Sequence, residues 1–252
     1  MSFTTLNKAF EILDIFLVHD APLSAKELTR LTDLSRSGLY KYLAALKKHS
    51  CLEYSEENGT YQLGFKFLEF GRKVRQQCSI YEIARPYMEE LYNNIKHVVV
   101  LSALSGDRAY CMGRVGKETH DFVYIMEPGV SMPLHCGATS LVLLAHLDDD
   151  AIHNFIQNNE LKKYTDNTLV APEELWRAIH RIRKEGHWYS DSEIGIGRAI
   201  AAPIFDGAHQ ILAAISIIGP VFAITDDKIE EYINIVMGYA TTITRRYCSL
   251  LP

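Results

Sequence analysis

The 252-residue sequence contains no uninterrupted apolar stretch long enough to cross a bilayer, and no apolar run behind a basic N-terminus. These absences argue against a membrane span and a secretory leader. Cysteine is scarce and irregular: five residues, at positions 51, 78, 111, 136 and 248, without a CxxC pair. An odd, scattered set suits neither a disulfide framework nor a zinc ribbon, and is expected of a cytoplasmic protein with reduced thiols. A basic excess is also missing. The net charge of −5 argues against a protein that coats nucleic acid regardless of sequence. There is no GxSxG motif, no internal repeat and no low-complexity segment.

What is present is 48% hydrophobic residues in a chain long enough for two domains, with an uneven charge. Residues 1–80 hold 11 Lys and Arg against 9 Asp and Glu, which leaves 15 against 22 for the remainder. A mildly basic head on an acidic body fits a localised DNA contact followed by a domain with another task.

The head is organised around residues 34–48. At a period of 3.6, Leu39, Leu43 and Leu46 share one stripe, while Ser37, Tyr40, Lys41, Ala44 and Lys48 share the opposite face. That outer face is small, hydroxylated and cationic, as a helix in a major groove requires. An ordinary solvated helix looks the same, so the preceding residues matter. Ser24 and Glu27 form a capping box, and Leu23 and Leu28 are spaced as a hydrophobic staple. A short helix therefore starts at Ser24 and ends near Thr32, and Ser35 caps a second one. Two short helices joined by a tight turn form a helix-turn-helix, in which the second helix reads DNA. Leu6, Phe10, Leu13 and Leu17 make a stripe expected to cover the pair. Residues 52–54 and 61–63 alternate like strands around Asn58-Gly59, a hairpin signal that completes a winged helix.

Residues 65–77 read as a linker helix of mixed apolar and basic positions. A further helix is expected to begin at Pro86, with Tyr87, Leu91 and Ile95 buried. Strands follow at 98–104, 108–115 and 122–126. A buried helix is expected over 138–146, a polar one after Asp148-Asp149-Asp150, and another from Pro172 to Gly186. Strands at 200–205 and 211–218 precede a last helix capped by Thr225-Asp226-Asp227. Hairpin-joined strands interrupted by helices predict an α+β domain with an antiparallel sheet flanked by helices.

Seven segments in order carry a resemblance: 34–43 (LSRSGLYKYL), 59–64 (GTYQLG), 84–86 (ARP), 129–145 around Pro133-Leu134-His135, 186–193 (GHWYSDSE), 200–203 (IAAP) and 213–217 (AAISI). Over nearly its whole length the chain resembles the IclR-type transcriptional regulators of bacteria. The resemblance implies a winged helix-turn-helix over 1–64, a linker helix over 65–80 and a GAF-like effector-binding domain over 81–252. It also implies operator DNA and a small metabolite, often a carboxylate or sugar acid, as partners, assembly as a homodimer or homotetramer, and no enzymatic activity, cofactor or resident metal.

Carried over by position, Ser35, Arg36, Ser37, Tyr40 and Lys41 would meet DNA, with Gly38 standing where a Thr is common. The acidic wing tip, Glu56-Glu57-Asn58-Gly59, is expected to add little affinity. Met132, Ala138, Thr139, Asp191, Ala199 and Ser216 match positions that line the effector pocket, and Tyr124 matches more loosely. Cys136 and the residues after it open a helix whose free N–H groups suit a carboxylate. Two departures stand out. Ser140-Leu141 replaces a usual Gly-Lys, and the segment after Glu193 is about one residue shorter than usual.

Two other functions are conceivable for the same residues. An enzyme would use Cys136 as nucleophile with His135 or Asp191 in support. A metal sensor would use Cys111, His135, Cys136 and Asp191, although their spacing lacks the regularity of a zinc motif.

Overall fold

The computed structural model describes residues 4–77, 79–116, 126–195 and 197–250. The chain divides into two compact units, Met1–Gln77 and Cys78–Pro252.

The first unit runs α1 (Thr4–Val18), β1 (Leu23–Ser24), α2 (Ala25–Leu31), α3 (Arg36–Lys48), β2 (Leu52–Ser55), β3 (Thr60–Leu63) and α4 (Lys66–Gln77). The capping box at the start of α2 forms in full. The Glu27 N–H donates to Ser24 Oγ at 3.3 Å, and the Ser24 N–H donates to Glu27 Oε2 at 2.7 Å. Both residues of the staple, Leu23 and Leu28, are buried in the unit's core. The wing is antiparallel, pairing Tyr54 with Tyr61, and β1 joins the far side of β3 through Leu23 and Tyr61. Gly59 takes a φ of 65° in its turn, a conformation open to glycine without strain.

In α1 the expected stripe is corrected. Of Leu6, Phe10, Leu13 and Leu17, only Leu13 is buried, and the helix enters the core through Ile12, Leu13 and Phe16 instead. Ile12 and Phe16 lie roughly a quarter turn from the predicted stripe. The helix is apolar on two faces, and the core of this unit covers one.

The second unit runs α5 (Ser79–Ile95), β4 (Val98–Ser105), β5 (Arg108–Val115), β6 (Ser131–Pro133), α6 (Ala138–Ala145), α7 (Asp149–Asn158), α8 (Pro172–Glu185), β7 (Trp188–Asp191), β8 (Arg198–Phe205), β9 (Ile211–Gly219) and α9 (Ile229–Leu250). Its strands form one antiparallel sheet in the order β6-β5-β4-β9-β8-β7. Side chains alternate across it. Ile215 and Ile217 of β9, with Ile200 and Ala202 of β8, enter a core with Met88 and Leu91 of α5 and Val236 and Ile243 of α9. Ala214 and Ala201 face the other way, into a core with α6, α7 and α8.

All eight residues of α6 are buried, because the helix lies between the sheet and α8. Its sequence, ATSLVLLA, is accordingly apolar all round beyond the first turn.

Pro86 does not begin a helix. It lies inside α5, whose buried residues Ile80, Tyr81, Ala84, Met88 and Leu91 continue across it. Packing on both sides of the proline outweighs the one hydrogen bond it removes. Tyr87 and Ile95 are only partly buried. The strand expected over 122–126 lies, but for Met126, outside the described residues. β7 was not anticipated, since its four residues carry no apolar alternation. At the last helix, Thr225 offers no side-chain cap, and a 3-10 turn over Asp226–Lys228 leads into α9.

Candidate functional site

In the first unit, α3 presents the face read from the sequence. Leu39, Leu43 and Leu46 are buried, while Ser35, Arg36, Ser37, Tyr40, Lys41, Ala44 and Lys48 are exposed. Ser35 is the N-cap, accepting the Gly38 N–H at 3.2 Å, so its hydroxyl is engaged in holding the helix. The Arg36 guanidinium sits 5.9 Å from the centre of the Tyr40 ring, one turn on, which orders a planar cationic pair at the start of the exposed face. Behind it, Lys47 lies over Tyr54 of the wing at 5.2 Å. Glu56, Glu57 and Asn58 at the wing tip are exposed.

In the second unit, a cavity opens at the start of α6, with about 650 Å³ of empty space counting the part open to solvent. Met126, Met132, Ala138, Ile194, Ala199 and Ile218 supply apolar walls. Thr139, Ser140, Ser190 and Ser216 supply hydroxyls, and Glu193 and Arg198 supply charges. The expected pocket residues Met132, Ala138, Thr139, Ala199 and Ser216 are thus brought together. Three others are placed differently. Tyr124 lies outside the described residues. Cys136 is fully buried and does not line the cavity, and Asp191 does not line it either.

Asp191 is occupied with Arg198. Its Oδ2 accepts from Arg198 Nε at 3.1 Å and from the Tyr189 hydroxyl at 3.0 Å, and its Oδ1 accepts from the Ser192 hydroxyl at 2.9 Å. Burial raises its pKa, but these bonds and the Arg198 charge outweigh that, and the carboxyl is held below its ordinary value. Arg198 in turn donates to the Ile224 carbonyl at 2.7 Å and pairs with Asp226 at 2.7 Å. Its guanidinium is committed on all three nitrogens.

The acid facing the cavity is Glu193, part of the GHWYSDSE segment but not among the expected pocket residues. It is 5% exposed. Its Oε2 accepts the Gly137 N–H at 2.8 Å, and its Oε1 accepts Trp188 Nε1–H at 2.9 Å. Burial pushes its pKa up, opposed by hydrogen bonds from Trp188, Gly137 and Ser190. A carboxyl raised in the folded state binds more protons folded than unfolded. Its contribution to stability therefore falls as pH rises from its ordinary value of 4.5 through the folded value. The loop before α8 fixes its backbone: Thr168 Oγ1 donates to the Glu193 carbonyl at 2.6 Å, and Thr165 Oγ1 to that of Ser192 at 2.7 Å.

Gly137, the N-cap of α6, has a φ of 81°, and a Cβ there would meet Ile194 Cδ1 at 2.7 Å. The amides of Ala138, Thr139 and Ser140 follow it, and no carbonyl of their own helix can reach them. On the sheet face that α6 covers, the Ser216 hydroxyl is fully buried, lines the cavity and has no hydrogen-bond partner among the described residues.

The catalytic and metal arrangements do not assemble. His135 and Cys136 lie in the turn between β6 and α6 rather than on a strand. The Cys136 thiol is pushed up to about 12, by burial first and then by the Glu193 charge, and is not a thiolate at neutral pH. The His135 ring is 3.0 Å, at Nε2, from the Lys162 carbonyl, to which it donates. Among the described residues, no group of three His, Cys, Asp or Glu side chains is arranged to hold a metal ion.

Comparison with known proteins decides the identity of both units. The IclR helix-turn-helix domain matches residues 5–56, and the bacterial transcriptional regulator IclR C-terminal domain matches residues 72–245. The chain belongs to the IclR family. It is 30% identical to the HTH-type transcriptional regulator KipR of Bacillus subtilis over 243 residues, spanning 96% of each chain. Among solved structures, it is similar to the Thermotoga maritima IclR, at 27% identity and a TM-score of 0.73 over 97% of this chain and 99% of that one. An IclR homolog from Microbacterium hydrocarbonoxydans, complexed with 4-hydroxybenzoate, shares the fold at a TM-score of 0.81 and 20% identity, over 97% and 99%. As an IclR member, this protein is a transcriptional regulator with a DNA-binding helix-turn-helix. No described helix is long and apolar enough to cross a membrane.

Proposed function

We propose that this IclR regulator binds its operator through α3 and that a small organic acid or sugar acid, held in the cavity at the start of α6, controls that binding. The observation that carries the ligand half is the fully buried Ser216 hydroxyl, without a hydrogen-bond partner among the described residues, which lines one cavity with the first residues of α6. A buried hydroxyl without a partner costs free energy of about 1–3 kcal/mol, which a ligand oxygen recovers. The helix start supplies N–H donors and a favourable dipole for an anion. Met132, Ala138, Thr139, Ala199 and Ser216 are the pocket residues of this reading, with Glu193 and Arg198 added. Asp191 acts by holding Arg198. The complex of a family homolog with 4-hydroxybenzoate supports an acid of modest size.

Arg36, Ser37, Tyr40 and Lys41 are the DNA contacts, with Ser35 acting as the cap that orders them. Residues 1–64 form the reading head, 65–80 the connection and 81–252 the sensor. Two copies on a two-fold axis would read a pseudo-palindrome in the cytoplasm.

The deciding test is binding of the purified protein to its own promoter fragment, titrated against salt and against a panel of hydroxy-, keto- and aromatic acids. Sequence-selective binding that one acid alters is expected, with Ser216→Ala losing the response and keeping the DNA affinity. Binding no tighter than to random DNA overturns the operator reading, and indifference to every acid overturns the effector reading.

A further inference from the structure

We infer that an acid enters this cavity together with one proton, held between the acid's carboxylate and Glu193, so that effector binding is coupled to pH. The inference rests on the effector reading above and adds its regulation.

The start of α6, where an incoming carboxylate would settle, already holds one. Glu193 is 5% exposed, lines the cavity and accepts the Gly137 N–H at 2.8 Å. It cannot easily withdraw, because Trp188 Nε1–H holds its other oxygen at 2.9 Å and Thr168 pins its backbone at 2.6 Å. An acid reaching the neighbouring amides and Ser216 therefore meets a second carboxylate in a poorly solvated space. Two carboxylates so placed do not both stay ionised unless a cation lies between them.

Among the described residues, the lining offers none that is free. Arg198 is the one cation there, and it is bonded to Asp191, Asp226 and the Ile224 carbonyl. The remaining titratable groups around Glu193 hold other partners, His135 through Nε2 only, its buried Nδ1 being without one among the described residues. Asp191 and Tyr189 on β7 bond to each other, with Asp191 on Arg198 as well. Ahead of α6, His135 donates to the Lys162 carbonyl and Cys136 stays a thiol. On β5, Arg108 bonds to Ser131, and Tyr164 of the loop before α8 stacks near His135. Among the described residues, Glu193 alone lines the cavity as an acid without an ionic partner. Burial already raises its pKa in the empty site, and the opposing influences are hydrogen bonds, not a cation.

The sign follows by linkage. The acid-bound state holds one proton more than the empty state, between the empty-site and acid-bound pKa values of Glu193. In that window the affinity for acids is strongest at low pH and falls by up to about tenfold per pH unit as pH rises. Below the window Glu193 is protonated in both states, and above it in neither.

The test is calorimetric titration of the full-length protein with benzoate, lactate and gluconate, from about pH 5.5 to 8.5, in buffers of different ionisation enthalpy. An uptake approaching one proton per bound acid is expected, with none for Glu193→Gln, whose carbonyl can still accept the Gly137 N–H. Should that variant not fold, the proton count on the unaltered protein decides. Acid binding without proton uptake overturns the coupling and leaves the effector reading standing. Uptake that persists in Glu193→Gln places the proton elsewhere and also overturns it. If none of the acids binds at any pH, the effector reading fails and the coupling with it.

Discussion

At the scale of single residues, function here depends on which polar groups remain free once the chain has packed. On α3, Lys41 is exposed and forms no ion pair among the described residues. Lys41→Ala is expected to weaken binding to every DNA sequence alike and to lower the salt slope by about one phosphate contact. Titration at several salt concentrations checks this, and an unchanged slope would remove Lys41 from the contact surface. The cysteines make a second case. Cys111 and Cys136 are buried and both pushed up to about 12, with burial the main cause, whereas Cys51 and Cys248 are partly exposed. Iodoacetamide at neutral pH should therefore label Cys51 and Cys248 in the native protein, and Cys111 and Cys136 only in denaturant. Peptide mapping of the alkylated protein reads this, and native labelling of Cys136 would reopen the nucleophile reading.

At the scale of elements, the sheet of the second unit acts as a partition. One face of β8 and β9 belongs to α5 and α9, the other to α6 and the cavity. The strand edges that serve α5 are tightly fitted. Gly113 of β5 lies beneath Tyr81, whose ring would come within 1.9 Å of an added Cβ. Gly113→Ala should thus displace Tyr81 from the core and destabilise the second unit by about 1–3 kcal/mol, the usual cost of overpacking. Thermal unfolding checks the value, and an unchanged midpoint would mean that Tyr81 moves freely. In the first unit, the capping box of α2 is the comparable device. Ser24→Ala removes the acceptor for the Glu27 N–H and should cost about 1 kcal/mol, read from urea unfolding.

At the scale of the whole molecule, α1 is apolar on a second face. Leu6, Phe10 and Leu17 are exposed there, too large a set to leave to water without consequence. Under the two-fold operator reading proposed above, a second copy of the chain is the expected occupant, because two-fold pairing doubles the recognition surface. Phe10→Asp with Leu17→Asp should shift sedimentation toward the monomer and weaken operator binding by about tenfold or more. A double variant that sediments unchanged and binds DNA as before would remove α1 from the interface.

The head of this protein was largely legible from its residues in order. The capping box, the staple, the leucine stripe of α3 and the Asn58-Gly59 turn all act within about four residues, so local rules identify them. Helix periodicity also exposed the face of α3 that carries Lys41. It could not say which of two apolar faces of α1 meets the core, because that depends on the shape of the partner surface. Nor did it foresee that α5 continues through Pro86, which packing on both sides decides. The cavity was half legible. Met132, Ala138, Thr139, Ala199 and Ser216 were named from resemblance and do meet in one space. Glu193 was not assigned, since its partner Gly137 is 56 residues away and a buried glutamate leaves no mark in a sequence pattern. Asp191 was read as a ligand group because its type suits hydroxyls, yet folding brought Arg198 to it first. Thus the sequence by itself determined most of the elements and the exposed face of α3, through short-range spacing, and the family, through resemblance. Only the tertiary structure decided that the Ser216 hydroxyl would meet the cavity without a partner among the described residues, and which carboxylate came to face that cavity, because hydrogen-bond satisfaction is settled between segments far apart in the chain.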